Sequence, residues 1–328
     1  MEFLVWSPSR AAVWTLGAAV VLASACGGGD SAPAGAGGGP FVLGTGGGAG
    51  FVINPGVGGG AATYGDSGIP PGTIFTPGEY GAYALGQALT GQGLANTGIT
   101  AENQACNTIA GVVRDFMGAG SPENGHPDFE TFAGTNATPG MVQNAIGGDG
   151  KPVYTGVCQA PGVTAACPYS QQTTSKDAFD QWYRFTDGVN KPYLLYLQFT
   201  PLNGKMTFQS HTYFPVDGTG WGNAGRQHNY HFTTEIHTKF RYGGGESFEF
   251  LGDDDVWVFI NGKLAVDLGG LHTETRGTIN VDTLGLTVGT EYTLDLFHAE
   301  RHTSLSNFRI DTNFAFTDCG TIIPADIR

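Results

Sequence analysis

Three consecutive aspartates form the part of the sequence with the clearest capacity for chemistry. Asp253, Asp254 and Asp255 follow Gly252 between two apolar runs, and Glu249 adds a fourth acid nearby. Adjacent carboxylates repel one another, and a divalent cation with oxygen ligands would remove that repulsion. Calcium tolerates irregular coordination better than magnesium does, so a calcium site is the first hypothesis. A solvated acidic hairpin tip, whose carboxylates keep ordinary pKa values, is the alternative.

Histidine and acidic residues alternate in a second segment, at His298, Glu300 and His302. Alternate residues of a strand share one face at a spacing of roughly 6.5–7 Å, which would permit a transition-metal site. Hydrogen-bonded structural histidines are the favoured interpretation. Asp255 and Glu300 could also form the carboxylate pair of a glycoside hydrolase. The sequence contains no nucleophile elbow, P-loop or kinase motif, and we expect the protein not to be an enzyme.

A third candidate group surrounds Trp221 in a loop that contains several glycines. A large aromatic ring in such a loop could stack on a sugar, while Asn223 and Arg226 could donate hydrogen bonds to its hydroxyl groups. Together with His302, these residues are the predicted ligand contacts. A tryptophan folded back on the body of the domain is the alternative.

Short aromatic and β-branched runs surround all three groups and are typical of β-strands. Asn261-Gly262, between two such runs, predicts a type I′ hairpin turn. Gln104–Met117 is the best helical candidate, although Gly111 weakens it. Trp182 and Trp257 lie in apolar runs and are expected in the core. Many short strands separated by turns predict an all-β fold, a sandwich or barrel. The strands are predicted at Tyr193–Phe199, Met206–Ser210, Thr233–Phe240, Ser247–Leu251, Val256–Ile260, Leu264–Leu268, Tyr292–His298 and Phe308–Phe314.

Composition excludes several classes of protein. The 328 residues include 29 acidic and 15 basic side chains, which gives a net charge of −14. Such an acidic chain is a poor partner for nucleic acid or an anionic membrane surface. With 40% hydrophobic residues and 13% charged ones, the chain has enough apolar area to bury a core.

The amino terminus has the pattern of an export signal over residues 1–25, because a short apolar run follows Arg10. Ala23-Ser24-Ala25 offers small residues before a cut at Cys26, and this resembles a bacterial lipobox, in which that cysteine is acylated. An ordinary cleaved signal is the alternative. Any membrane contact would then be made through the N-terminal lipid alone.

Five cysteines leave one unpaired in an exported protein. If Cys26 carries lipid, the other four can form two disulfides. Cys158 and Cys167 share one loop and could form a local bridge. Cys106 and Cys319 bracket the later domain, and a bridge between them would join its ends.

The chain divides by composition. Residues 26–60 form a predicted disordered, glycine-rich tether, with 16 glycines between positions 27 and 60. Residues 61–105 are transitional, 106–317 form the β domain, and 318–328 are a C-terminal tail.

Two long runs resemble the fibro-slime domain of bacteria and slime moulds: FEFLGDDDVWVFINGKLAVDLGGLH at 248–272 and FHAERHTSLSNFRIDTNF at 297–314. Shorter matches upstream are VRDF, HPDFE, GDGKPVY, FDQWYRF and HNYHFTTEIHTKFRY. The resemblance covers about residues 109–316. That family is similar to the β-barrel of anthrax protective antigen, which yeast flocculins and epithelial adhesins share.

The resemblance implies a calcium site. In the adhesins, two consecutive aspartates joined by a cis peptide bind calcium, which in turn binds sugar hydroxyls. The pair corresponds to Asp253 and Asp254, while Asp255 stands where many relatives have glycine. A later loop completes the calcium ligands, with Asn307 as the best candidate here and Glu300 as the second.

The expected function is therefore a secreted or outer-membrane-tethered, calcium-dependent module for carbohydrate binding and adhesion. Its partner would be a glycan or surface polysaccharide. One alternative is a structural component of a matrix or surface, in which calcium only stabilises the loop. A second alternative is a metal- or carboxylate-dependent hydrolase.

Overall fold

The computed structural model describes residues 69–70, 72–89, 97–98, 106–156 and 172–322. The predictions for segments 1–25 and 26–60, for Cys26 and for a Cys158–Cys167 bridge fall outside those residues. Within them, no helix is long and apolar enough to span a bilayer.

The described residues are built almost entirely from antiparallel strands. In chain order the strands are β1 (Thr76–Pro77), β2 (Ala82–Ala88), β3 (Thr97–Gly98), β4 (Thr108–Phe116), β5 (Asn190–Gln198), β6 (Thr200–Leu202), β7 (Lys205–Ser210), β8 (Phe232–Arg241), β9 (Ser247–Gly252), β10 (Asp255–Ile260), β11 (Lys263–Leu268), β12 (Thr275–Asn280), β13 (Glu291–Glu300), β14 (Phe308–Thr312), β15 (Ala315–Asp318) and β16 (Thr321–Ile322). A short helix, α1 (Lys176–Asp180), and a 3₁₀ turn (Val281–Leu284) complete the regular structure.

Two sheets pack against each other. The large sheet has the order β1-β2-β5-β4-β8-β13-β10-β11, with β15 also paired to β8. The small sheet has the order β12-β9-β14-β7-β6, and β16 pairs with β3 in a separate ribbon. The predicted all-β fold is confirmed, as a sandwich of two antiparallel sheets.

Strand β10 shows that the large sheet is buried on both faces. All six of its residues are buried. Val256, Val258 and Ile260 pack into the core between the sheets, whereas Trp257 and Phe259 join a second cluster on the opposite face. Alternation of side chains across a strand explains the division.

The second cluster lies beneath a covering segment, which is the described part of residues 117–189. Phe129, Phe179 and Trp182 of this segment are fully buried, and they pack with Trp257 of β10. The prediction that Trp182 and Trp257 belong to the core is confirmed. The covering segment adds a third layer to the sandwich, built from loops and α1.

The structure confirms the predicted hairpin turn and replaces the predicted helix with a strand. Asn261 and Gly262 both have positive φ, at 52° and 71°, as the predicted type I′ turn requires. The helical candidate Gln104–Met117 instead contains β4, whose nine residues are all buried. A strand that is buried on both faces shows no alternation of polar and apolar residues, so its sequence does not distinguish it from a buried helix. Because β1 and β2 join the large sheet, that sheet begins before residue 106.

A disulfide joins Cys106 to Cys319 across a sequence separation of 213 residues. The bridge lies beside β4, where the backbone N–H of Ala110 donates to the carbonyl of Cys319. The expectation that these two cysteines join the ends of the β domain agrees with the structure.

A buried ion network fixes the covering segment to β8. Glu235 accepts hydrogen bonds from Arg114 at 2.6 Å, from Lys151 and from Nε2 of His237 at 2.6 Å. The other imidazole nitrogen, Nδ1, lies 2.7 Å from Oδ1 of Asp295. Burial alone would lower the pKa of His237, but the hydrogen bonds to the two carboxylates outweigh burial and raise this pKa to about 9.

We predict that this network makes stability depend on pH. The folded protein retains a proton on His237 between its ordinary pKa of 6.5 and about 9. The resulting stabilisation is complete below pH 6.5 and is lost as the pH rises through about 9. Urea unfolding at several pH values should show wild-type stability falling relative to His237→Gln over this range. Parallel pH profiles for the two proteins would contradict the assignment.

Candidate functional site

The acidic turn is a connection between the two sheets. Strand β9 of the small sheet ends at Gly252 and β10 of the large sheet begins at Asp255, so Asp253 and Asp254 form the crossing. The segment from β13 to β14 crosses beside it in the opposite direction. The registers Asp255↔Ala299 and Gly252↔Phe308 hold the two crossings together at one end of the sandwich.

Asp253 and Asn307 join the two crossings directly. The carboxylate of Asp253 accepts from the backbone N–H of Asn307 at 2.7 Å and from its side-chain amide at 2.8 Å. The backbone N–H of Asp253 also donates to the carbonyl of Asn307 at 3.3 Å. The structure therefore brings together the first aspartate and the loop residue that the sequence comparison singled out.

Asp254 and Glu300 form a second, less satisfied pair of acids. Oδ2 of Asp254 accepts from the backbone N–H of Arg301 at 3.1 Å, while Oε2 of Glu300 has no hydrogen-bond partner among the described residues. Burial, followed by repulsion from Asp254 and Asp253, raises the pKa of Glu300 well above its usual value. Burial and the charge of Asp255 likewise raise the pKa of Asp254.

The alternative of a solvated acidic tip is wrong. Asp253, Asp254 and Asp255 are 7%, 6% and 0% exposed. Burial is the largest cause that raises the pKa of Asp253 as well as that of Asp254. Carboxylates at an exposed tip would be hydrated, whereas these have lost most of their contact with water.

Asp255 is neutralised inside the protein and we remove it from the candidate metal ligands. Its Oδ2 lies 2.7 Å from both Nε and Nη2 of Arg301, and its Oδ1 accepts from the backbone N–H of Gly270 at 2.6 Å. Arg301 also donates to the carbonyls of Asp128 and Gln172 in the covering segment. Arg301 therefore pairs with the third aspartate, and no ion pair to Asp253 or Asp254 occurs among the described residues.

The prediction that His298, Glu300 and His302 share one strand face is wrong for the last of them. Strand β13 ends at Glu300, so His302 lies in the following loop, where it is exposed. His298 is fully buried, and its Nε2 lies 3.1 Å from the carbonyl oxygen of Asp253. A transition-metal site on this strand therefore lacks one of its three ligands.

The loop around Trp221 is held by internal contacts. The backbone N–H of Trp221 donates to the buried Asp115 at 2.6 Å, and Nζ of Lys191 lies 3.7 Å from the centre of the indole ring. Asn223 bonds within its own loop. Arg226 donates to Glu130 in the covering segment. Ligand contact by Trp221, Asn223, Arg226 and His302 stays a prediction, with one ring face of the tryptophan already covered.

Two further residues of the site were not recognised from the sequence. Arg301 is fully buried beneath the crossing. His272 is also buried, and it lowers the pKa of Asp253 electrostatically, although burial raises that pKa more. Their positions depend on tertiary packing, so no local pattern could have identified them.

The donor set suits a hard cation with a mixed set of oxygen ligands. Among the described residues, no three Asp, Glu, His or Cys side chains are arranged to hold a metal ion. No cis peptide bond occurs there either, so the expected cis bond between Asp253 and Asp254 is not found. An ion here would have to combine two carboxylates with the Asn307 side chain and main-chain carbonyls, a set that calcium accepts.

Comparison with known proteins identifies a matching domain. Residues 193–326 match the PA14 domain, and this range contains every candidate metal ligand. Protein psiD of Dictyostelium discoideum is 41% identical over 203 residues, which cover 58% of this chain and 39% of psiD. Protein psiR of the same organism is 38% identical over 207 residues, which cover 58% of this chain and 20% of psiR. The chain thus spans well under half the length of these relatives.

A solved structure of an anti-sigma factor domain-containing protein covers 74% of this chain and 84% of its own length. At 11% identity and a TM-score of 0.23, it carries no argument about fold or function.

The identification as a fibro-slime domain is wrong. The match to the PA14 domain and the similarity to the psi proteins point to a PA14-type domain instead. PA14 domains are carbohydrate-binding and adhesion modules that occur in extracellular or surface proteins. A binding family of this kind is consistent with the expectation that the protein is not an enzyme.

We predict that Arg301→Gln destabilises the fold by about 3–5 kcal/mol, because Asp255 is left as an unpaired buried charge. The double variant Arg301→Gln/Asp255→Asn should recover part of this loss, since the uncompensated charge is then removed. Arg276→Gln, which breaks an exposed pair with Glu249, is the control and should cost about 1 kcal/mol or less. Equal losses for the single and double variants in chemical unfolding would contradict the assigned pair.

Proposed function

We propose that this protein is a calcium-dependent carbohydrate-binding and adhesion module. The match to the PA14 domain supports the binding class. The calcium dependence and the identity of the site are inferred from the side chains at the crossing of the two sheets.

The proposal rests on one observation. Asp253, Asp254 and Glu300 are buried together, while the nearby Arg301 is already paired with Asp255. Three acids that share a desolvated site must bind protons or a cation. Asp253, Asp254 and Asn307 would hold the ion, and Glu300 is a further candidate. When bound, calcium supplies coordination positions at which neighbouring sugar hydroxyls can bind.

The loops around this site are suited to ligand contact. His302 and Leu305 are exposed in the connection between β13 and β14, which also contains Asn307. Arg226 donates to the carboxylate of Glu130, and the backbone N–H of Glu130 donates to the carbonyl of Arg301, so both residues lie on segments next to the site. We propose that a glycan would contact the surface formed by these four residues. Trp221 and Asn223 would lie at the edge of that surface.

Export to a surface follows from the same proposal. PA14 domains occur in extracellular or surface proteins, and the Cys106–Cys319 disulfide suits an oxidising compartment. Attachment of lipid to Cys26 would place the domain at the outer membrane. The net charge of −14 disfavours nucleic acid as a partner.

A purely structural calcium site is the second candidate. It is favoured by the low exposure of Asp253 and Asp254, at 7% and 6%, which leaves little carboxylate surface open to a ligand. A hydrolase has less support, because Asp255, one acid of the suggested catalytic pair, is fixed by Arg301.

We predict that the chelator-stripped protein binds one calcium ion in isothermal titration calorimetry. A dissociation constant of about 0.1–1 mM is the range of extracellular calcium modules. Asp254→Asn should abolish the heat of binding while the fold is retained, since it removes a ligand charge. Asp187→Asn, at an exposed acid, is the matched control and should bind as the wild type does. Wild-type affinity in Asp254→Asn would contradict the site.

We also predict that binding to a glycan array is lost when calcium is removed by chelator and is absent in Asp254→Asn. The melting temperature is measured in parallel with and without calcium. Glycan binding that survives chelation would contradict calcium dependence. Absence of glycan binding, together with a calcium-induced rise in melting temperature, would favour the structural candidate.

A further inference from the structure

The imidazole ring of His298 is buried at a position where a polar side chain is not expected to stabilise the fold. The side chain is fully buried on β13 and points into the core between the sheets. The rings of four aromatic residues lie around the imidazole, at centroid distances between 5.1 and 6.4 Å. They are Tyr213, Phe232, Phe250 and Phe308.

The ring has one hydrogen bond within the described part of the chain. Nε2 lies 3.1 Å from the carbonyl oxygen of Asp253, and Nδ1 is buried with no partner in the residues that the structure describes. A carbonyl oxygen accepts and cannot donate, so Nε2 carries the proton and Nδ1 is an unsatisfied acceptor. An apolar side chain in this aromatic environment would avoid that penalty.

The carbonyl that His298 binds belongs to the peptide group between Asp253 and Asp254. Because a peptide group is planar, fixing its oxygen also fixes the direction of the Asp254 N–H and limits the rotation of both residues. The Asp253 carboxylate is fixed separately by Asn307. The Asp254 carboxylate accepts from the Arg301 N–H at 3.1 Å and also contacts the side chain of Glu300. Neither contact is an ion pair, so the direction of this carboxylate also depends on the peptide that precedes it.

We propose that His298 is a positioning residue for the cation site. By donating to the carbonyl of Asp253, it holds the Asp253–Asp254 peptide in the orientation in which both carboxylates face one ion. This role rests on the proposed calcium function and extends it to a residue that does not touch the ion.

The test compares three substitutions of this histidine. His298→Phe keeps an aromatic ring and removes the donor, and His298→Asn retains an amide too short to reach the carbonyl. His298→Gln places an amide N–H near the position of Nε2. Calorimetric titration with calcium chloride should show at least a tenfold weaker affinity for the Phe and Asn variants. The Gln variant should stay within about threefold of the wild type.

A core variant separates positioning from general loss of stability. Phe250→Leu weakens the same aromatic surroundings without touching the Asp253 carbonyl. It should lower the melting temperature in chelator and leave the calcium affinity unchanged. His298→Phe should show the reverse pattern, with little change in the melting temperature in chelator and a large loss of affinity. The Asn and Gln pair gives the same comparison if the Phe variant does not fold.

The outcomes distinguish this inference from the function on which it rests. If the wild type binds no calcium, the cation proposal fails and the role of His298 fails with it. If the wild type binds calcium and both donor-deficient variants bind equally well, the positioning role alone is wrong. Equal losses in the Gln, Asn and Phe variants would also overturn it, because the donor would then not matter.

Discussion

Carboxylates lose most of their hydration when they are buried, and this loss governs the end of the sandwich where the two sheets exchange strands. Asp253, Asp254, Asp255 and Glu300 are all removed from water there. Arg301 neutralises Asp255 through a short ion pair. The negative charge that remains must be balanced by protons, which the raised pKa values of Asp254 and Glu300 reflect, or by a cation. A bound cation would allow these buried carboxyl groups to remain ionised. For this reason we propose that calcium binds here.

The topology places this charge. Strand β10 pairs with β13 in the large sheet, and β9 pairs with β14 in the small one. The two segments that connect these pairs therefore cross side by side, and they bring Asp253 against Asn307 although 54 residues separate them. The covering segment contributes the carbonyls of Asp128 and Gln172, which hold Arg301 in place beneath the crossing. The covering segment therefore holds Arg301 against Asp255 and leaves Asp253 and Asp254 available to bind an ion.

Local patterns predicted the strands well, because β-branched and aromatic runs between turn residues have few alternatives. The Asn261-Gly262 turn is the clearest case, since both residues adopt the positive φ that this dipeptide favours. Strand β4 was ambiguous for a physical reason: both of its faces are buried, so its sequence carries no alternation of polar and apolar residues. The extension of β13 to His302 failed because the strand ends at Glu300, and nothing in the local sequence marks that end.

The site itself was predicted only in part. The crowding of Asp253 and Asp254 is visible in the sequence, and Asn307 was reached through a resemblance. The assignment of Asp255 as a ligand failed because its partner lies 46 residues away. Its burial also depends on a covering segment that shows no regular pattern. The contact between His298 and Asp253 is likewise a product of the sheet register, which residue types alone do not specify.

The most direct test of the account is a high-resolution crystal structure of the protein grown with calcium chloride. We expect a single ion bound by carboxylate oxygens of Asp253 and Asp254 and by Asn307, at the distances of about 2.3–2.6 Å that calcium adopts. This expectation is contradicted if no ion is bound between these residues and Asp254 and Glu300 instead share a proton in a short carboxyl–carboxylate hydrogen bond.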